Sequence, residues 1–334
     1  MKIGNITRTL IRFLIVSIIF YLLYRSDRLD IGKLGGILDD LHIIGVAALF
    51  IAIPVFITSA RWQLLLQITD LSFSYVSALK LTFLGLFFST VVPGSVGGDV
   101  VKAYYTVKGQ QQKTNIVVTI FFDRFVGLYA MLLTASLAIL TLLVRDRLFI
   151  PVQPLLTGTL LLLGVTVILI FAAITAAPLL FMSPAIGRTL KPVEKLVNKL
   201  TWGGIIKTAV QSVSAYARRP AIVFKALGLS IISQSFLYSG LYLLAAALGS
   251  GQTEAVNYFF LLPLCLVVNA LPLAPAGLGV GEAGFGELFL LFGLTQGAEV
   301  ALLYHILYLV FIAGTGGLVY LFGNLDFKTT TTPH

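Results

Sequence analysis

Long apolar runs separated by short polar stretches set the pattern of this chain. A helix crossing the hydrocarbon core of a bilayer needs about 20 mostly apolar residues. Six runs have that character: Leu10–Tyr24, His42–Ile68, Thr114–Val144, Leu155–Met182, Ala221–Leu248 and Ala298–Phe322. The strands of a membrane β-barrel would appear instead as short alternating segments, so the pattern predicts an all-α integral membrane protein. Two further apolar stretches are interrupted. Val76–Lys108 is broken by Val92-Pro93-Gly94-Ser95-Val96-Gly97-Gly98-Asp99, and Ala255–Phe292 by Asn269-Ala270-Leu271-Pro272-Leu273-Ala274-Pro275-Ala276-Gly277. Proline and clustered glycine remove or expose backbone hydrogen-bonding groups. Such backbone survives at membrane depth only when buried in protein or beside a water-filled cavity. The expected architecture is six full transmembrane helices plus two broken, re-entrant hairpins. Ten conventional spans form the alternative, with the same even parity.

Composition adds a limit. Of 334 residues, 58% are hydrophobic and only 11% charged, whereas soluble domains average about 25% charged. No soluble stretch is long enough for a domain of its own, so residues 1–334 read as one polytopic membrane domain. The first run follows Lys2, Arg8 and Arg12 like a signal peptide, but Tyr24-Arg25-Ser26-Asp27-Arg28 supplies no small-residue cleavage site, so it is expected to stay as a helix. Cys265, the single cysteine, lies inside an apolar run, which excludes a disulfide framework and a thiolate metal site.

The net charge of +9 changes the picture through its position. Basic residues beside apolar spans face anionic headgroups and set orientation; nucleic acid is not an expected partner. Segment Ser183–Arg219 carries Arg188, Lys191, Lys195, Lys199, Lys207, Arg218 and Arg219 against Glu194, and the N-terminus is basic too. Both are therefore expected in the cytoplasm, which places both termini inside. Leu190, Val193, Leu196, Val197 and Leu200 among those lysines suggest an amphipathic interfacial helix in the linker 183–219; an orientation-setting loop is the plainer alternative. With six spans, one hairpin enters from the cytoplasm and the other from the exterior. Opposed hairpins are the pattern of inverted-repeat transporters, with a first repeat over about 42–144 and a second over about 221–322. Each interruption runs from proline through three glycines to a carboxylate: Pro93, Gly94, Gly97, Gly98 and Asp99, then Pro275, Gly277, Gly279, Gly281 and Glu282.

Ionisable side chains at membrane depth cost roughly 2.5–3.5 kcal/mol on insertion scales and mark function by default. The candidates are Arg61, Asp99, Lys102, Asp123, Arg124, Glu282, Glu287 and His305. Asp99 and Glu282 stand out because each follows a glycine-rich break, where backbone N–H groups and a helix N-terminus favour an anionic ligand; each also suits a plain helix cap. Asp123 and Arg124 are adjacent on a helix and so do not face each other. Each should pair elsewhere, Arg124 with Asp99 or Glu282. Arg61-Trp62 near the inner end of a span also suits a snorkelling arginine in an aromatic belt. His305 lacks metal-ligand neighbours and reads as a packed, hydrogen-bonded histidine. Gly279-Val280-Gly281-Glu282-Ala283-Gly284 spells the dinucleotide-binding G-x-G-x-x-G, but no strand or βαβ unit surrounds it; close helix approach explains its glycines better. No cofactor and no metal are expected.

Four motifs together resemble the lysylphosphatidylglycerol synthase transmembrane-region family. They are Arg61-Trp62; Pro93-Gly94-Ser95-Val96-Gly97-Gly98-Asp99-Val100-Val101-Lys102-Ala103-Tyr104; Asp123-Arg124-Phe125-Val126-Gly127-Leu128; and Pro272-Leu273-Ala274-Pro275-Ala276-Gly277-Leu278-Gly279-Val280-Gly281-Glu282. The resemblance implies a flippase-type helical fold and the movement of aminoacylated phospholipids or lipid-linked sugars between leaflets. Lys102 stands where the family's G-G-D-x-x-R pattern has arginine, which puts a bidentate phosphate clamp there in doubt. No aminoacyl-transferase domain follows the last span, so synthesis of lysyl-phosphatidylglycerol is not expected.

The resulting expectation is a lipid flippase or scramblase, not an enzyme, in a prokaryotic inner membrane. Its partners would be membrane lipids with anionic headgroups, and a homo-oligomer or a partner lipid-modifying enzyme stays open. The residues proposed to meet substrate are Arg61, Asp99, Lys102, Asp123, Arg124, Glu282 and Glu287, with the proline–glycine breaks as hinges. Two alternatives remain: a non-transporting assembly factor for a lipid or glycan synthase, and a polyprenyl-diphosphate phosphatase. The latter needs arginines beside the Pro93-Gly94-Ser95 loop, and none follows it.

Overall fold

The computed structural model describes residues 21, 25, 40–69, 73–91, 97–107, 113–149, 165, 169, 216, 218–249, 255–270 and 277–323. Nearly all of the expected spans Leu10–Tyr24 and Leu155–Met182, most of the basic linker, and Pro93, Gly94 and Pro275 lie outside them. The described residues are helical, without strands. In chain order they form α1 (Leu41–Leu66), α2 (Tyr75–Val91), α3 (Gly97–Val107), α4 (Lys113–Phe149), α5 (Pro220–Ala247), α6 (Ala255–Asn269), α7 (Val280–Leu291) and α8 (Gly297–Phe322). Helices of this kind follow from the solvent: hydrocarbon offers no hydrogen bonds, so each apolar segment must satisfy its backbone internally. Pro54 sits inside α1, where the Thr58 hydroxyl donates to the Pro54 carbonyl at 2.8 Å. One irregularity interrupts α8, a π-helical turn over Tyr308–Ala313.

The order is long, short, short, long, given twice. α1, α5 and α8 have 26, 28 and 26 residues, and 28 residues of α4 are continuously apolar enough to cross a membrane. The hairpin arms α2, α3, α6 and α7 have 17, 11, 15 and 12 residues. At about 1.5 Å per residue the longest arm reaches about 25 Å, short of a hydrocarbon core about 30 Å thick.

Packing between the halves is reciprocal. The most extensive contact joins the two leading helices, α1 and α5. Along it Gly240 meets Ala47 and Ile51, the Phe236 ring packs tilted against Phe50 at 5.5 Å, and Ser230 bonds Arg61. Residue numbers rise on one helix as they fall on the other, so α1 and α5 are antiparallel. A methyl at Gly240 would lie 2.9 Å from Ile51 Cγ1 and 3.1 Å from the Ala47 carbonyl, so glycine permits this close crossing. Arm α2 of the first hairpin packs on α8 of the second half, and arm α6 packs on α4 of the first. Phe73, leading into α2, stacks on Trp62 near the end of α1, and Tyr258 near the start of α6 meets Tyr242 near the end of α5. Because α1 and α5 run oppositely, the hairpins enter from opposite ends of the bundle. The main core gathers side chains from all four long helices and from α2, α6 and α7.

Candidate functional site

Glycine brings the arms of the first hairpin together near its tip. A methyl at Gly98 would collide with the Gly85 carbonyl and the Ser89 hydroxyl. That contact sets the first turn of α3, and Asp99 lies in that turn. Its carboxylate pairs with Nε of Arg124 on α4. One turn further, Lys102 is buried with its ammonium 3.6 Å over the Trp62 ring. Lys102 is also close enough to Asp99 and Asp123 to feel both charges. Trp62 is itself fully buried, so the lysine reaches no headgroup by snorkelling.

Arg61 forms the inner half of the same group. Its Nε donates to Asp123 Oδ1 at 2.7 Å and its Nη1 to the Ser230 hydroxyl at 2.8 Å, tying α1 to α4 and α5. Gly127, one turn after Asp123, leaves the space: a methyl there would lie 3.1 Å from Nη1. Arg61 is 6% exposed, so the alternative of an arginine snorkelling to an aromatic belt is corrected. A buried guanidinium is kept only with a partner and satisfied hydrogen bonds, and α4 and α5 supply them. Among the described residues of this group, three cations (Arg61, Lys102 and Arg124) meet two carboxylates (Asp99 and Asp123). Over these five residues the formal charge sums to one positive.

The second hairpin is built differently. Gly277 and Gly279 both have φ near +80°, a conformation that disfavours other residues, and α7 starts immediately after. Glu282 makes the return half of a capping box: its Oε2 accepts the Gly279 N–H at 2.5 Å. Its Oε1 lies 2.8 Å from Nδ1 of His305 on α8. That hydrogen bond ties the first turn of α7 to α8. The pair is buried, with side chains 0% and 3% exposed. Oδ1 of Asn269, at the end of α6, and Nε2 of His305 are buried without hydrogen-bond partners among the described residues. Both flank Gly281, where a methyl would run into Asn269 Oδ1 and lie 2.9 Å from His305 Cε1.

The two tips are linked along α8. Tyr304 contacts the His305 ring at 5.3 Å and Tyr308 at 6.2 Å, and Tyr308 lies within electrostatic reach of Arg124. The structure thus brings Arg61, Asp99, Lys102, Asp123 and Arg124 into one group and sets Glu282 beside His305. Of the two partners expected for Arg124, Asp99 is the one it takes. Glu287 is exposed on α7, about 140° around the helix from Glu282. Gly97 and Gly98 open α3, as Gly279 and Gly281 open α7. Ser230, Asn269 and the Glu282 partnership of His305 were not foreseen. The last arises because α7 folds back on α8 in the structure.

Residues 9–316 match the model of the lysylphosphatidylglycerol synthase TM region. A protein of Pyrococcus horikoshii named UPF0104 membrane protein PH1989 is 24% identical over 274 residues, which covers 78% of this chain and 81% of the relative. No solved structure matches the chain.

Proposed function

Given that the chain belongs to the lysylphosphatidylglycerol synthase transmembrane-region family, we propose that it moves a lipid with an anionic headgroup between membrane leaflets. The observation that carries this is a pair of short hairpins, entering from opposite ends of the bundle, each with an ionisable carboxyl held in the first turn of its second arm. An inverted repeat of this kind, over about 42–144 and 221–322, gives a transporter two near-equivalent faces between which a central site alternates. The leftover positive charge beside Asp99 and Arg124 suits a phosphate-bearing headgroup, with the acyl chains left in the bilayer. On this reading the protein is a carrier and not an enzyme, Asp99 and Arg124 engage the headgroup, and Glu282 holds the second hairpin to α8. The orientation that follows has both termini in the cytoplasm of a prokaryotic inner membrane.

Headgroup accessibility in proteoliposomes tests it. Fluorescent phosphatidylglycerol, phosphatidylethanolamine and a polyprenyl-phosphate sugar are reconstituted singly, and dithionite quenching reports the exposed fraction. Faster quenching of one lipid with the protein, slowed about tenfold by Asp99→Asn, is the expected result. If no lipid moves under any ion gradient, the transport reading fails and a role in assembling a lipid-modifying enzyme takes its place.

A further inference from the structure

Helix α4 carries an exposed stripe at Phe121, Arg124, Phe125 and Leu128. These are positions i, i+3, i+4 and i+7, which share one face of a helix. The neighbouring α3 exposes Val100 and Tyr104, one turn apart and each 63% exposed. Three members of the α4 stripe are apolar, and the fourth is a cation about 16 Å along the helix from its first residue. Arg124 has a side chain 45% exposed, whereas its carboxylate partner Asp99 is 15% exposed. The ion pair therefore turns its cationic end outward and keeps its anionic end inside. Behind it, Lys102 and Arg61 outnumber the remaining carboxylate of Asp123. An anion approaching from the side meets net positive charge, with apolar surface on either flank. The second hairpin has no such opening, since Glu282 and His305 are enclosed.

We propose that the α3–α4 face is the docking surface for one anionic phospholipid of the surrounding leaflet, its phosphodiester on Arg124 and its acyl chains along Phe121, Leu128, Val100 and Tyr104. The purpose of such docking rests on the transport reading above; its evidence does not. A guanidinium fork matches phosphate oxygens, and Asp99 holds it by Nε. Lipid then reaches the central group from the first hairpin's side, with Asp99 and the phosphate competing for one arginine.

A benzophenone amino acid at position 128, in place of Leu128, reads this out. The full chain goes into vesicles of phosphatidylglycerol and phosphatidylcholine in equal amounts, and the cross-linked lipids are identified by mass spectrometry. The cross-linked phosphatidylglycerol-to-phosphatidylcholine ratio should rise roughly fivefold above its bulk value, as one charge-assisted hydrogen bond sustains. Arg124→Gln should return the ratio to bulk, while Arg124→Lys keeps part of the enrichment. The same probe replacing Phe259 on α6, which is also exposed, should report the bulk ratio throughout. Bulk ratio at position 128, or enrichment that survives Arg124→Gln, overturns the proposal. Where Arg124→Gln does not reconstitute, the double variant Asp99→Asn/Arg124→Gln removes both charges, and enrichment surviving there overturns it equally. Enrichment without headgroup movement upholds the docking and sinks transport; movement without enrichment does the reverse.

Discussion

Hairpin α2–α3 ends with Asp99 reaching out to Arg124 on a neighbouring helix, whereas hairpin α6–α7 ends with Glu282 reaching back to its own Gly279 and across to His305. Both carboxylates follow a proline and three glycines, and both sit in the first turn of a short helix. What separates them is the partner. A guanidinium is always charged and brings five donors, so Asp99 is one of several acceptors it can hold. Glu282 has a backbone amide and a buried imidazole, and both of its oxygens are committed. One tip is partly open with cations to spare, and the other is closed on itself. Two similar local sequences thus give an open, cation-rich end and a closed end.

The largest effect should come from the inner half of the first group. Arg61→Ala leaves Asp123 buried without its cation, which typically costs about 3–5 kcal/mol. Thermal unfolding of the purified protein in detergent should show it, and Arg61→Met with Asp123→Leu should recover much of the loss. A mild Arg61→Ala would mean this pair is as exchangeable as Asp99 and Arg124. Next comes Glu282→Ala, which removes the hydrogen bonds to the Gly279 N–H and to His305, worth about 0.5–1.5 kcal/mol each and less in sum. Its stability should fall further than its residual transport does.

Asp99→Asn is expected to show the opposite balance. A partly exposed pair contributes about 0–1 kcal/mol to stability, so the fold should tolerate the change while headgroup movement drops about tenfold, equivalent to about 1.4 kcal/mol. Finding Asp99 to be the stability residue and Glu282 the transport residue would reverse the comparison. Smallest of all, Glu287→Gln should shift stability by no more than about 0.5 kcal/mol and leave movement unchanged. A larger change would give the exposed face of α7 a part in the mechanism.

Helix positions were legible because hydrocarbon imposes one demand on every segment. Ala221–Leu248 was expected where α5 runs Pro220–Ala247, and His42–Ile68 where α1 runs Leu41–Leu66. The glycine–proline breaks between hairpin arms were visible for the same reason. Partnerships were less legible, because they depend on which helices touch. Arg61 looked like a boundary residue from its place near a helix end, yet α4 and α5 enclose it. Lys102 and Trp62 are far apart in the chain and meet only because the hairpin folds back along α1. Glu282 and His305 meet only because residues 292–296 reverse the chain between α7 and α8. The π-helical turn in α8 has no periodic signature that would announce it.

That turn has a consequence for how α8 tolerates change. An α-helix advances about 100° per residue, and the wider winding over Tyr308–Ala313 accommodates one residue more than regular winding would. Before it, α8 presents Tyr304 and His305 to the second hairpin; after it, Gly316 and Tyr320 to Phe83 and Phe87 of α2. The turn therefore stores one residue of slack between His305 and Gly316. Deleting a single residue within Tyr308–Ala313 returns the stretch to regular winding and leaves both flanking faces in place, whereas a deletion in a regular part of α8 would turn its far half by about 100° away from α2.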